Sequence, residues 1–389
     1  MKRIALGGLG LVLTVVACGG PSTDSGTAGE ANGGDPGQMY GTFQDALHMN
    51  PATRIEGVVS QTNIVADQSG QGTATDAHLL NAWGLAFNPK GPAWVSSNGN
   101  GSSQVYAADG HTLLEVAIPP PTGGETSAPT GQVYNWAAGS AFMGDVFIFV
   151  TEDGTVAGWQ PANETTAVLR AGNSGASTLY KGVAIAVPFT GGGRAQLYAA
   201  NFRGGTVDVF DDHYAPVTAK GGFHDGGLPA GYAPFNVMGV GPFVLVTYAL
   251  QNDEKKDDVK GDGHGFVDLY TAEGFFVQRL ISGGALNSHW GMVFAPDHDR
   301  ASIDFAVGNF GDGRINVYNL SLGRHGVNAR LEGALGDSAG NPLVIDGLWA
   351  LAFGPGTGGF AADQLYFTAG PNDEKNGLFG ALSFVGPRR

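Results

Sequence analysis

Cysteine is nearly missing from this chain. Cys18 is the single one in 389 residues, so no intrachain disulfide and no thiolate metal cluster can form. Charge is scarce as well: only 14% of residues are Asp, Glu, Lys or Arg, and 20 basic groups face 35 acidic ones for a formal charge of −15. Such a surface repels phosphate backbones and anionic headgroups, which excludes a nucleic-acid partner and direct electrostatic membrane binding. No apolar run is long enough to span a bilayer; Ile4–Val16 falls short of the ~20 residues required. No Gly-x-Ser-x-Gly, His-Glu-x-x-His, P-loop or dinucleotide fingerprint occurs, so these hydrolase, metalloprotease and nucleotide classes have no foothold.

What is abundant is glycine, at 65 residues, with 20 prolines. Both are poor helix formers. With 42% hydrophobic residues the chain still has the means to build a core. The combination points to many short strands joined by tight turns.

The N-terminus reads as an export signal. Lys2 and Arg3 precede the apolar stretch, which ends in Val15-Val16-Ala17-Cys18 followed by Gly19 and Gly20. This resembles the lipobox of bacterial lipoproteins. The resemblance implies cleavage before Cys18, a diacylglycerol thioether on its sulfur and an acylated (palmitate-type) amine. The organisation expected is a signal peptide at 1–17, a flexible Gly/Ser/Thr/Asp tether at 18–50, and one folded domain at 51–389. Gly19 rather than Asp after the cysteine favours the outer membrane of a bacterial cell envelope.

Within that domain a pattern recurs six times. It opens on an apolar strand near Gly84, Gly131, Gly182, Asn236, Gly291 and Gly347, an interval of roughly fifty residues that fits a four-stranded repeat. A second strand follows, as in Val244–Tyr248, then a polar turn and a third, alternating strand such as Phe266–Tyr270. This predicts an all-β, six-bladed β-propeller. The sixth repeat stops without a fourth strand, and Val58–Val65 is an orphan strand before the first. The N-terminal strand is therefore expected to close the ring as the outer strand of the last blade, which removes exposed sheet edges.

Asn81-Ala82-Trp83-Gly84, the Tyr198–Thr206 stretch, Val307–Gly313 and Asp346–Phe353 resemble an uncharacterised family of secreted bacterial propellers. The openings with Trp-Gly more distantly resemble NHL repeats and gluconolactonase-type propellers. The first resemblance implies a fold; the second implies oxygen ligands for Ca²⁺ and a lactonase-type chemistry.

Loops before the first strands and between the second and third strands open on one end of a propeller. They carry a polar ring: Glu152, Asp153, Asn201, Arg203, Asn236, His289, Asn309, Asp312, Asp346, Asn372 and Asp373, with Lys181 and Glu374 among their neighbours. Asn-Asp-Glu-Lys occurs twice, at 252–255 and 372–375. Glu152, Asn201 and Asn309 are the candidate metal set, since carboxylate and amide oxygens suit Ca²⁺. The charged stretch at 258–263 is read as a solvated insertion. The expected function is a membrane-anchored, extracytoplasmic binding or scaffold module, monomeric, whose ligand is a protein, glycan or small molecule. The alternative is a Ca²⁺-dependent hydrolase or lyase of the lactonase type.

Overall fold

A computed structural model describes residues 55, 57–121, 124, 126–172, 177–190, 192–296, 302–324 and 326–385. The signal peptide, Cys18 and the tether lie outside the described residues. Everything described belongs to one compact unit.

The domain is a six-bladed propeller. Blade 1 comprises Ala82–Phe87, Ala93–Ser97, Ser102–Tyr106 and Thr112–Ala117; blade 2 comprises Pro129–Tyr134, Phe147–Thr151, Thr155–Trp159 and Val168–Gly172. Blade 3 runs through Tyr180–Ala186, Gln196–Asn201, Thr206–Phe210 and the short Pro216–Val217; blade 4 through Tyr232–Val240, Phe243–Leu250, Phe266–Thr271 and Phe276–Ser282. Blade 5 holds His289–Phe294, Ser302–Asn309, Ile315–Gly323 and Gly326–Ala334. Each is an antiparallel meander from the axis outward.

Blade 6 takes Leu348–Phe353, Leu365–Ala369 and Leu378–Val385 from the C-terminus and Val58–Ala66 from the start of the domain. The last two pair antiparallel from Val58↔Val385 to Ala66↔Leu378, with a bulge between Asn63 and Val65. The ring thus closes through the N-terminal strand, as expected from the missing fourth strand. Among the described residues no helix is long and apolar enough to cross a membrane.

Both faces of each blade are buried, which explains continuous apolar runs such as Phe243–Leu250. The period-2 alternation decides which neighbour a side chain meets. In blade 4, Phe243, Leu245, Val267 and Leu269 pack toward blade 5. Val244, Val246, Tyr248 and Tyr270 pack toward blade 3. A separate apolar cluster fills every blade interface, and another lies on the axis.

At the axis the inner strands approach too closely for a side chain at certain positions. A Cβ on Gly84 would lie 2.5 Å from the Thr130 carbonyl, and one on Gly291 would lie 2.6 Å from that of Trp349. Gly291 faces the backbone of 349–351 just as Gly84 faces that of 130–132. The sixth repeat is therefore in register at Ala350, not at Gly347, which instead sits in the preceding turn with φ +65°. Turns entering the inner strands and joining second to third strands define the upper end of the propeller. First-to-second and third-to-fourth turns define the lower end.

Candidate functional site

With that register, one residue per blade faces the axis at the same height: Trp83, Thr130, Lys181, Phe235, Trp290 and Trp349. All are buried. Five suit a packed axis. Lys181 alone among them carries charge, and it organises the upper end.

Lys181 Nζ lies 2.5 Å from Glu152 Oε1 and 3.9 Å from Asp257 Oδ1. It also sits 4.7 Å above the centroid of the Trp83 ring. Burial opposes the ammonium, but Glu152 outweighs it and raises the Lys181 pKa. Burial likewise opposes the Glu152 carboxylate, yet Lys181 holds its pKa below the usual carboxylate range. The pair is ionised in both partners.

Beneath it runs a column of rings. Trp83 stacks on Trp349 at 3.6 Å between centroids, and Trp349 on Phe310 at 3.9 Å. Lys260 Nζ lies 4.2 Å over Phe310. Trp290 meets Trp83 and Trp349 edge-on and donates from its indole to the Lys181 carbonyl at 3.2 Å. The Trp349 indole donates to Asn81 Oδ1 at 2.9 Å, and Asn81 Nδ2 donates to Glu374 Oε2 at 2.8 Å. Asn81 adopts a left-handed φ of 47° to make this turn.

Burial is the main cause that raises the pKa of Glu374, with Glu152 and Asp258 adding repulsion. Asp258 is raised for the same first reason, against the pull of Ser288 and Lys181. The upper mouth therefore mixes one firmly ionised pair with two carboxyl groups biased toward the neutral form. Asn98 Nδ2, Asp258 Oδ2 and Ser288 Oγ are buried there, Asn98 toward Glu152 and Ser288 toward Asp258, each short of a well-formed hydrogen bond.

The stretch read as a solvated insertion keeps most of its residues exposed, and it is also anchored beside this mouth. Asn252 Oδ1 accepts from the Lys256 and Asp257 amides. Gln251 bridges to Asp258, and the Gly261 amide donates to Asn287 Oδ1. These anchors bring Asp257, Asp258 and Lys260 to the axis.

The residues singled out from sequence divide sharply. Glu152 reaches the mouth. Asn201 does not act as a ligand: its Oδ1 accepts from the Leu179 and Gly204 amides and its Nδ2 donates to Asp208. Asn309 is likewise occupied, accepting from the Asn287 amide and donating to the Ala285 carbonyl and Asp312. The Ca²⁺ set of Glu152, Asn201 and Asn309 therefore does not assemble, and the cation beside Glu152 is the ammonium of Lys181. Asn236 ties inner strands 4 and 5 by donating to the Trp290 carbonyl at 2.8 Å.

His289 donates through Nε2 to the Phe266 carbonyl, 3.0 Å away, and burial drives its pKa down to about 3. It is a neutral core residue. Asp153, Asp312 and Asp346 brace turns through the Ala128, Arg314 and Asn372 amides. Arg203 is half-buried, and Asn372 and Asp373 are exposed in a left-handed turn. Lys181, Asn81 and Asn98 belong to the polar loops read from sequence but not to the candidate site set, and Asp258 was read as part of a solvated insertion. The usable signal was a lysine at an inner-strand position where other repeats carry tryptophan.

No family model matches the chain. It is 29% identical over 348 residues to an uncharacterised protein of Acanthamoeba polyphaga mimivirus, covering 85% of each. A second uncharacterised mimivirus protein is 28% identical, over 82% of this chain and 78% of its own length. These relatives are viral, whereas the sequence resemblance pointed to bacterial proteins.

Among solved structures, the Penicillium chrysogenum α-L-arabinanase complexed with arabinobiose superposes with a TM-score of 0.50 at 10% identity, covering 84% of this chain and 98% of that one. The PQQ-bound aldose sugar dehydrogenase of Streptomyces coelicolor follows at 0.48 and 13%, covering 85% and 99%. The first of these similarities speaks to fold alone.

Proposed function

We propose that this chain is a membrane-anchored, extracytoplasmic propeller that binds a small, hydroxyl-rich organic ligand at the upper axial mouth. The observation that carries the reading is the buried Lys181–Glu152 pair on the Trp83 face, with Asn98 Nδ2, Asp258 Oδ2 and Ser288 Oγ only incompletely hydrogen-bonded beside it. Buried polar groups in folded proteins are nearly always hydrogen-bonded. Donors and acceptors left over in one place match a ligand carrying both, as hydroxyl groups do. Lys181 has two N–H groups beyond the one directed at Glu152. The surrounding carboxylates disfavour phosphates and other anions, and the Lys181 ammonium disfavours Ca²⁺. The anchor rests on the lipobox at Cys18.

A thermal-shift screen of neutral sugars, polyols, aldonolactones and Ca²⁺ against the purified domain tests the site. The expected result is that a hydroxyl-bearing compound raises Tm and that Lys181→Met removes the shift. A shift by Ca²⁺ alone, retained in Lys181→Met, would replace this reading with the metal-dependent one. Labelled palmitate incorporation into the full chain, lost in Cys18→Ser, tests the anchor.

A further inference from the structure

We infer that the lower end of the propeller is a membrane-contacting face, seated on the zwitterionic headgroup layer of the bilayer that holds the Cys18 lipid. The axial mouth then points away from the membrane. The inference rests on the lipid-anchor reading above and extends it from attachment to orientation.

The first ground is the distribution of exposed apolar side chains. Thirteen large ones occur among the described residues; Trp136, Met143, Phe189 and Phe275 lie in lower-end turns, and six more lie on third or fourth blade strands within two residues in sequence of such a turn. At the upper end there are Val259 and Val344. The lower set includes the bulkiest: Trp136 and Met143 are each 58% exposed, Phe189 48%, Phe275 43% and Phe276 41%. Single exposed apolar residues need no explanation, but a concentration on one face of a monomer marks an interaction surface.

The second ground is that these tips are held out on rigid supports. Trp136 and Met143 lie on the first-to-second turn of blade 2. Asn135 braces that turn through the Asp145 carbonyl and the Ala137 amide, and the Phe142 amide donates to the Asp212 carbonyl of blade 3. Phe142 and Met143 both hold left-handed φ values, 54° and 55°, a strained backbone that the surrounding structure must impose. Phe189 packs on Phe243 at 5.4 Å. Its neighbour Thr190 binds Glu273 of blade 4 through both its amide and its hydroxyl, next to Phe275. The arc across blades 2 to 4 is one connected surface, and its acids at Asp212 and Glu273 are already partnered.

The third ground is where the chain enters. The Ile55 amide donates to Asp304 at the lower start of a blade 5 strand, and Val58 pairs with Val385 at the lower end of blade 6, while the Val59 amide donates to Gly336 in the turn between blades 5 and 6, so the entry lies on the outer rim. Read from composition as a flexible linker, the chain from Cys18 to Ile55 has an expected span of about 30–35 Å, enough to keep this end toward the lipid. Tryptophan and phenylalanine are the side chains that settle at headgroup depth. The net charge of −15 argues for neutral rather than anionic lipid.

The chain carries six tryptophans, and the five other than Trp136 are buried, so emission quenching reports on Trp136. The lipidated full-length chain is placed in phosphatidylcholine vesicles with brominated acyl chains. Bromolipid should lower the Trp136 emission about twofold and close it to acrylamide, and Trp136→Phe should abolish both changes. Phe189→Ser with Phe275→Ser should weaken the quenching while leaving vesicle sedimentation intact. A chain that sediments with vesicles yet keeps Trp136 open to acrylamide and untouched by bromine overturns the face assignment. So does self-association that shields Trp136 without vesicles, which would give the patch to a second copy. A chain that never sediments fails at the anchor itself and takes the orientation with it.

Discussion

Two buried charge clusters in this propeller look alike on a list of ion pairs and differ in how completely they are satisfied. Between blades 2 and 3, Asp145 accepts from Arg170 Nε at 2.7 Å and Nη2 at 2.6 Å, and from the Tyr214 hydroxyl at 2.7 Å. Both carboxylate oxygens are answered, and Gly158 supplies the room, since a Cβ there would lie 1.8 Å from Asp145 Oδ2. At the upper mouth, Lys181 and Glu152 are equally buried, yet three polar atoms around them fall short of a well-formed hydrogen bond. A complete network is architecture. An incomplete one at the axis of a propeller is where an outside molecule can finish it.

The largest expected effect is on the architectural side. Asp145→Asn should lower unfolding free energy by about 3–5 kcal/mol, because the guanidinium loses its counter-charge in a buried setting. Ligand affinity at the mouth should not change. Denaturant unfolding and titration on the same sample check both; a loss under about 1 kcal/mol would make the two clusters equivalent.

The axial pair should behave differently in a double-mutant cycle. Lys181→Met alone leaves Glu152 buried and uncompensated, at a cost of about 3 kcal/mol. Adding Glu152→Gln should restore most of that, since no charge is then left, while binding stays lost. At Asp145 the equivalent double change, Arg170→Met with Asp145→Asn, should recover less, because one of the two acceptor oxygens becomes an NH2 group that no buried partner there answers.

The contrast also shows what a sequence carries. Fold was legible because repetition is local: the opening, middle and alternating strands are written six times, and the missing last strand with the orphan Val58–Val65 implies closure. The site was not legible for the same reason. Asn201 and Asn309 recur because propeller turns need side chains that accept nearby amides, so repetition pointed to turn chemistry rather than to ligands. Lys181 breaks the repeat instead of following it. The anchoring of the 252–263 insertion beside the axis depends on contacts with Asn287 in another blade, which no local pattern records.

A third buried group tests how a partly satisfied residue is tolerated. His289 has one ring nitrogen at the Phe266 carbonyl and Nδ1 unpartnered. With its pKa depressed to about 3, the unfolded chain binds a proton below its ordinary value near 6.5 while the folded chain does not. Stability therefore falls as pH drops below that point, by about 2 kcal/mol at pH 5. His289→Phe should carry a pH-independent loss but remove this slope. Melting of both proteins from pH 7 to pH 5 measures it, and parallel curves would mean that the imidazole is already protonated or solvated.

The smallest effect comes from the twice-written Asn-Asp-Glu-Lys. In 372–375 the first three residues are all left-handed, and Glu374 turns inward to Asn81. In 252–255 only Lys255 is left-handed, and Glu254 is exposed. The same letters place one carboxyl at the mouth and the other in water. Because the Glu374 pKa is raised in the fold, the folded state holds its proton more tightly than the unfolded one. Its carboxylate thus reduces stability above the folded pKa, and the penalty fades as pH falls toward the ordinary value near 4.3. Glu374→Gln keeps an acceptor for Asn81 without the charge. It should raise stability at pH 7 by about 1 kcal/mol, with the gain shrinking on acidification. Glu254→Gln should stay within about 0.5 kcal/mol at every pH. Paired unfolding curves at pH 7 and pH 5 decide the matter. If the two variants are indistinguishable, the buried setting of Glu374 has no energetic weight, and the mouth loses one of its two neutral-leaning carboxyls.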